Sequence, residues 1–173
     1  MFVPQPREEE LTAFWTRAKT RSKLAEVPGV MGMTDTIAVE PPAFAFGDGT
    51  RELASELANL VVSGNKTVTT SYAPAYDATN EAYPRTGDLA ILLDGEARPV
   101  ALLRNRKVEV VPFNEINDEI AKAEGEGSLE QWIAEHTRVF TSDASALGLE
   151  FSQTANIIVE HFDVMYRVDT DLS

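Results

Sequence analysis

Apolar positions recur at helical spacing over residues 8–27, where Leu11, Phe14, Trp15, Ala18 and Ala25 fall mostly on one face. Glu8, Glu9 and Glu10 stand where the helix dipole favours negative charge, and Pro28-Gly29 ends the pattern. Residues 28–43 read as a loop closing on Pro41-Pro42. A second helical stripe of Leu53, Leu57, Leu60 and Val61 runs from Asp48 to about Ser63, with Gly64 placed as a left-handed cap. The pattern then changes with almost no linker. Residues 66–72 are rich in Thr and Val and predict a strand. In a regular strand Lys66, Val68 and Thr70 face one way, and Thr67, Thr69 and Ser71 the other. A bulge or a turn after Gly64 would bring Lys66 and Thr69 to one side.

Residues 73–86 hold two prolines among small polar residues and predict a loop. Leu89–Leu93 and Val100–Leu103 flank Asp94-Gly95, a hairpin signal. A further strand is predicted over residues 105–111, closed by Pro112, and a short helix over residues 114–124. Ser128 with Gln131 fits a capping box, opening a helix whose buried face is Leu129, Trp132, Ile133, His136 and Phe140. Ser142 or Asp143 caps another short helix ending near Gly148, and residues 156–168 form a last strand. A regular βαβ alternation is absent. The expected class is α+β, a small curled sheet or barrel flanked by helices, with residues 1–43 as an N-terminal helical extension and 44–173 as the main domain.

Composition narrows the setting. The 173 residues are 43% hydrophobic, enough for a core, and no run approaches a bilayer-spanning length. The N-terminus shows no basic region followed by an apolar run, so a secretory signal is not expected. With no cysteine, disulfides, thiolate metal sites and Cys nucleophiles are excluded, and the expected compartment is the cytoplasm. A net charge of −13, from 28 acidic and 15 basic residues, repels phosphate backbones. Long nucleic acid, DNA included, and membranes are therefore not expected partners; a small ligand or short single strand is. The N-terminal helix must bury Phe14 and Trp15, on its own domain or on a second copy of the chain.

The common catalytic signatures are missing: no GxGxxG, Walker loop, GxSxG or HExxH occurs. His136 and His161 are far apart in apolar-patterned elements, which predicts packing roles; neither a metal site nor a cofactor is expected. The segment from Gly64 to Ser71 is different. A lysine beside a row of hydroxyls, if desolvated, can accept a proton from a hydroxyl nucleophile. An exposed lysine at a Thr-rich edge strand would instead be a solvated charge.

The run Gly64-Asn65-Lys66-Thr67-Val68-Thr69 resembles the GxKxxT core of the ASCH-domain family, whose fold is a PUA-like β-barrel. Further segments follow in the family's order: Phe46-Gly47-Asp48, Thr86-Gly87-Asp88, Val108 to Phe113, Glu124 to Trp132, and Phe162 to Tyr166. The resemblance implies binding of RNA or a nucleoside-type ligand in a barrel cleft. It also implies hydrolase activity, as a ribonuclease or an N4-acetylcytidine amidohydrolase. The non-catalytic alternative is an RNA-binding module in RNA metabolism or translation regulation. Carried over by position, Thr69 would be the nucleophile, Lys66 its base or the oxyanion partner, and Glu126 the acid for the leaving amine. Ser71 stands where the family often has Arg; Arg104, Arg106 and Lys107 on a neighbouring strand could replace that contact, or be ordinary surface charges. Ser71 and Tyr72 would complete the substrate contacts, Tyr72 by stacking on a base.

Overall fold

A computed structural model describes residues 1–22, 39–125 and 127–168. Helix α1 (Glu8–Arg21) is shorter than its apolar stripe suggested, because Ser22 turns to extended backbone at φ −78°, ψ 160°. Ala25 and Pro28-Gly29 lie outside the described residues. There follow β1 (Ala43–Phe44), α2 (Arg51–Val62), β2 (Val68–Tyr72) and α3 (Ala73–Thr79). Then come β3 (Leu89–Leu93), β4 (Pro99–Pro112), a 3-10 turn (Phe113–Glu115), α4 (Asp118–Glu124), α5 (Leu129–Ala146) and β5 (Asn156–Arg167). The strands form a mixed five-stranded sheet in the order β1-β3-β4-β5-β2, so the class is α+β with an N-terminal helix.

Three expectations are corrected. The loop predicted over residues 73–86 begins with helix α3, since Pro74 occupies the helix N-terminus, where a missing N–H costs nothing. Asn80, at φ 56°, ends it in the left-handed conformation. The two strands predicted at 100–103 and 105–111 are one strand of 14 residues. The two helices predicted after Ser128 are one helix of 18 residues, because Ser142 and Asp143 stay helical.

The chain forms two compact units. The first comprises Met1–Gly64, Leu89–Arg104 and Asp163–Ser173. Its core joins Phe14, Trp15 and Ala18 of α1 to Ile91, Leu93 and Leu102 of the β3–β4 hairpin. The aromatic pair of the N-terminal helix is thus buried within its own unit. The hairpin turn is held by the Asp94 carboxylate, which accepts bonds of 2.9 Å from Glu96 N, Arg98 N and Arg98 Nε.

The second unit comprises Asn65–Asp88 and Asn105–Phe162. Its core is aromatic: Phe113, Trp132, Phe140 and Tyr72 pack with Val68 and Ile157. Helix α5 begins in the predicted capping box, Ser128 Oγ accepting from Gln131 N and Gln131 Oε1 from Ser128 N. Its buried face, Trp132, His136, Phe140 and Ala144, has the i, i+4 spacing of a helix against a sheet.

Candidate functional site

Antiparallel pairing of β2 with β5 decides which side chains meet. Val68, Thr70 and Tyr72 lie opposite His161, Val159 and Ile157; Thr69 and Ser71 lie opposite Glu160 and Ile158. The register is unbroken over these residues, so the two sets point to opposite faces of the sheet.

The first face turns to the second unit's core and carries a buried polar cluster. Helix α4 ends at Glu124, and Gly125 takes φ +79° as its left-handed cap. A Cβ there would stand 2.7 Å from Asn65 O, so only glycine lets the loop approach the start of β2 this closely. Thr67 N donates to Ala123 O at 2.8 Å, fastening the same two elements. As a result Lys66, 1% exposed, places Nζ 3.5 Å from Glu124 Oε1 and 3.2 Å from Glu124 O.

Glu124 is saturated. Trp132 Nε1 donates to Oε2 at 2.6 Å, Thr70 N to Oε1 at 3.1 Å, and Thr70 Oγ1 reaches both oxygens at 3.1 and 3.2 Å. His136 stacks on Trp132 with ring centroids 4.0 Å apart, and its Nδ1 donates to the Trp132 carbonyl at 3.0 Å. Its Nε2 then faces Glu124 Oε1 at 3.7 Å, beyond hydrogen-bond length, and acts on it through charge when protonated. Burial, the largest single influence, raises the Glu124 pKa. The combined pull of His136, the Lys66 ammonium and the Trp132 N–H outweighs it and sets the value at about 2. A carboxylate so strongly ionised is a poor proton acceptor and a firm anchor.

The opposite face is less engaged. Thr69 Oγ1 makes no hydrogen bond among the described residues, and Ser71 Oγ is buried with no partner among them. Across from Thr69, Glu160 Oε2 accepts from Asn105 Nδ2 at 2.6 Å. Burial raises the Glu160 pKa, the Asn105 bond lowers it, and the negative charge of Asp88 raises it further; the net direction is upward. Thr69 and Glu160 thus share one face of the β2–β5 pair.

The family model described as ASCH domain matches residues 42–166. The chain belongs to the ASCH-domain family. A crystal structure of an Enterococcus faecalis V583 protein is 31% identical with a TM-score of 0.78, covering 91% of this chain and 89% of its own. An ASCH domain from Lactobacillus crispatus JV V101 superposes with a TM-score of 0.78 at 24% identity, over 95% of this chain and 99% of its own, and shares the fold. No curated protein matches the sequence.

Within this ASCH domain, the structure places Lys66 against Glu124 and Thr69 opposite Glu160. Tyr72 is 4% exposed; Phe140 stacks on its ring at 5.6 Å and Phe151 lies at 6.1 Å, so a base has no open face there. Arg104 is in the first unit, opposite Leu89, while Arg106 is exposed in the second. Glu126 lies outside the described residues. Residue-by-residue reading missed Thr70, Glu124, Asn105 and Glu160. Glu160 had a visible signal: a carboxylate set inside the apolar run from Ile157 to Phe162, where a strand face is buried.

Proposed function

We propose that this ASCH-domain protein binds a nucleoside-type ligand or a short single-stranded RNA on the Thr69 face of β2 and acts there as a hydrolase. The observation that carries the reading is the unengaged hydroxyl of Thr69, set beside the buried, unpartnered Ser71 Oγ on a sheet face. Buried polar atoms almost always find partners, so an orphan hydroxyl next to a free one favours a ligand. Thr69 is the nucleophile for an acyl or phosphoryl centre. Lys66, with Nζ 3.5 Å from Glu124 Oε1, fixes the head of β2 on which Thr69 is carried.

The test incubates wild type, Thr69→Val and Lys66→Ala with N4-acetylcytidine and, separately, with labelled single-stranded RNA. Turnover by wild type, reduced about a hundredfold or more in Thr69→Val, is the expected result. Undiminished turnover by Thr69→Val would remove Thr69 from the chemistry. RNA binding without turnover in any of the three proteins would leave a binding module.

A further inference from the structure

A hydroxyl nucleophile needs a group to take its proton, and the geometry points to Glu160 as the general base, then acid, that serves Thr69, with Asn105 as its positioning residue. This inference rests on the reading of Thr69 as nucleophile. Thr69 and Glu160 are directly opposite in the β2–β5 register and share a face. Directly opposed Cβ atoms are about 4.5–5.5 Å apart; the two side chains are not hydrogen-bonded as they stand, and a rotamer change of Thr69 or Glu160 would bring Oγ1 and Oε1 together. Asn105, 9% exposed, donates to Oε2 alone. Oε1 accepts no hydrogen bond among the described residues, so one carboxylate oxygen is held and the other left for a proton.

The surroundings suit that role. The charged group facing Glu160 is Asp88, of the same sign, and both it and burial disfavour the ionised form. Glu124, the buried carboxylate of this unit, is the reverse case, ionised and saturated. Two carboxylates in one unit are thus driven apart in proton affinity, and the raised one adjoins the hydroxyl.

The step balances within these groups. The Thr69 Oγ–H bond breaks, its proton passes to Glu160 Oε1, and Oγ forms a bond to the acyl carbon, whose carbonyl electrons move onto oxygen. When that oxyanion collapses, the bond to the leaving nitrogen or oxygen breaks, and Glu160 returns the proton to the departing atom. Water then attacks the Thr69 ester, giving its proton to Glu160, and the carboxylic acid leaves as Thr69 Oγ is reprotonated.

The test uses p-nitrophenyl acetate, an acyl donor that makes no demand on nucleoside recognition. Nitrophenolate release is followed together with acetylation of Thr69 by peptide mass spectrometry. Wild type should carry the acetyl group on Thr69. Glu160→Gln, which keeps the shape and the Asn105 bond, should form it about 10²–10⁴-fold more slowly. Glu160→Asp should recover part of the rate. Asn105→Ala should shift the pH at which acetylation is half-maximal, which a merely structural role would not do. Acetylation of Thr69 at the wild-type rate in Glu160→Gln would overturn the inference, as would absence of acetylated Thr69 in wild type. Acetylation that depends on Glu160 in a protein that hydrolyses neither N4-acetylcytidine nor RNA would keep the inference and sink the nucleoside reading.

Discussion

Glu124 is buried and Glu160 half-buried in one unit, and they bear on stability with opposite signs. Glu124 titrates near 2 rather than 4.5 in the folded protein, so the unfolded chain binds its proton more readily. Stability from this group is therefore complete above the ordinary carboxylate value and is lost as pH falls from there toward about 2. Glu124→Gln removes the counter-charge of a lysine that is 1% exposed and should cost about 3 kcal/mol or more in chemical denaturation at neutral pH. It should also flatten the acid limb of a stability–pH curve. Glu160 titrates above its ordinary value, so the folded protein holds the proton more tightly. Its contribution falls as pH rises from the unfolded value through the folded one. Glu160→Gln should therefore raise the Tm at neutral pH above that of wild type. A lower Tm would mean that Glu160 is an ordinary structural partner of Asn105.

At the scale of elements, the site depends on how the end of α4 meets the start of β2. Gly125→Ala would force a side chain into a left-handed backbone and against Asn65 O, 2.7 Å from the new Cβ. The expected loss is about 1–3 kcal/mol, with reduced amide protection of Thr67, whose N–H bonds Ala123 O. Ser128→Ala removes the capping-box acceptor of α5 and should cost about 1 kcal/mol by the same denaturation measurement. Much of this layer is legible in the sequence. The Ser128/Gln131 cap, the α2 stripe, the β2 strand and the closing strand all follow from local spacing. Local signals mislead where one residue type serves two purposes: Pro74 can break a helix or begin one, and Ser142 can cap a helix or ride inside it. The site is less legible, because it is made by pairing. That Thr70 meets Glu124, and Thr69 meets Glu160, depends on register and on contacts 54 and 91 positions apart in the numbering, which no local pattern encodes.

At the scale of the whole chain, the net charge of −13 constrains how any RNA can be held. Among the described residues no helix is long and apolar enough to cross a membrane. A protein that grips nucleic acid by its phosphates releases counterions, and its affinity falls steeply with salt. Among the described residues, the side chain opposite Thr69 is the Glu160 carboxylate, bound by Asn105 and under the negative charge of Asp88, and carboxylates repel phosphate rather than neutralise it. On the proposed reading, recognition at this face would draw on hydrogen bonds to uncharged parts of the ligand. The expected signature is a shallow salt dependence. From about 50 to 200 mM salt, affinity for a short labelled single-stranded RNA should change less than about tenfold, against the roughly 10³–10⁵ lost by proteins making many phosphate contacts. Fluorescence anisotropy across a salt series measures it directly. A steep slope would place the RNA on cationic side chains instead, with exposed Arg106 and Lys107 of β4 the first to substitute, and would detach binding from the Thr69 face.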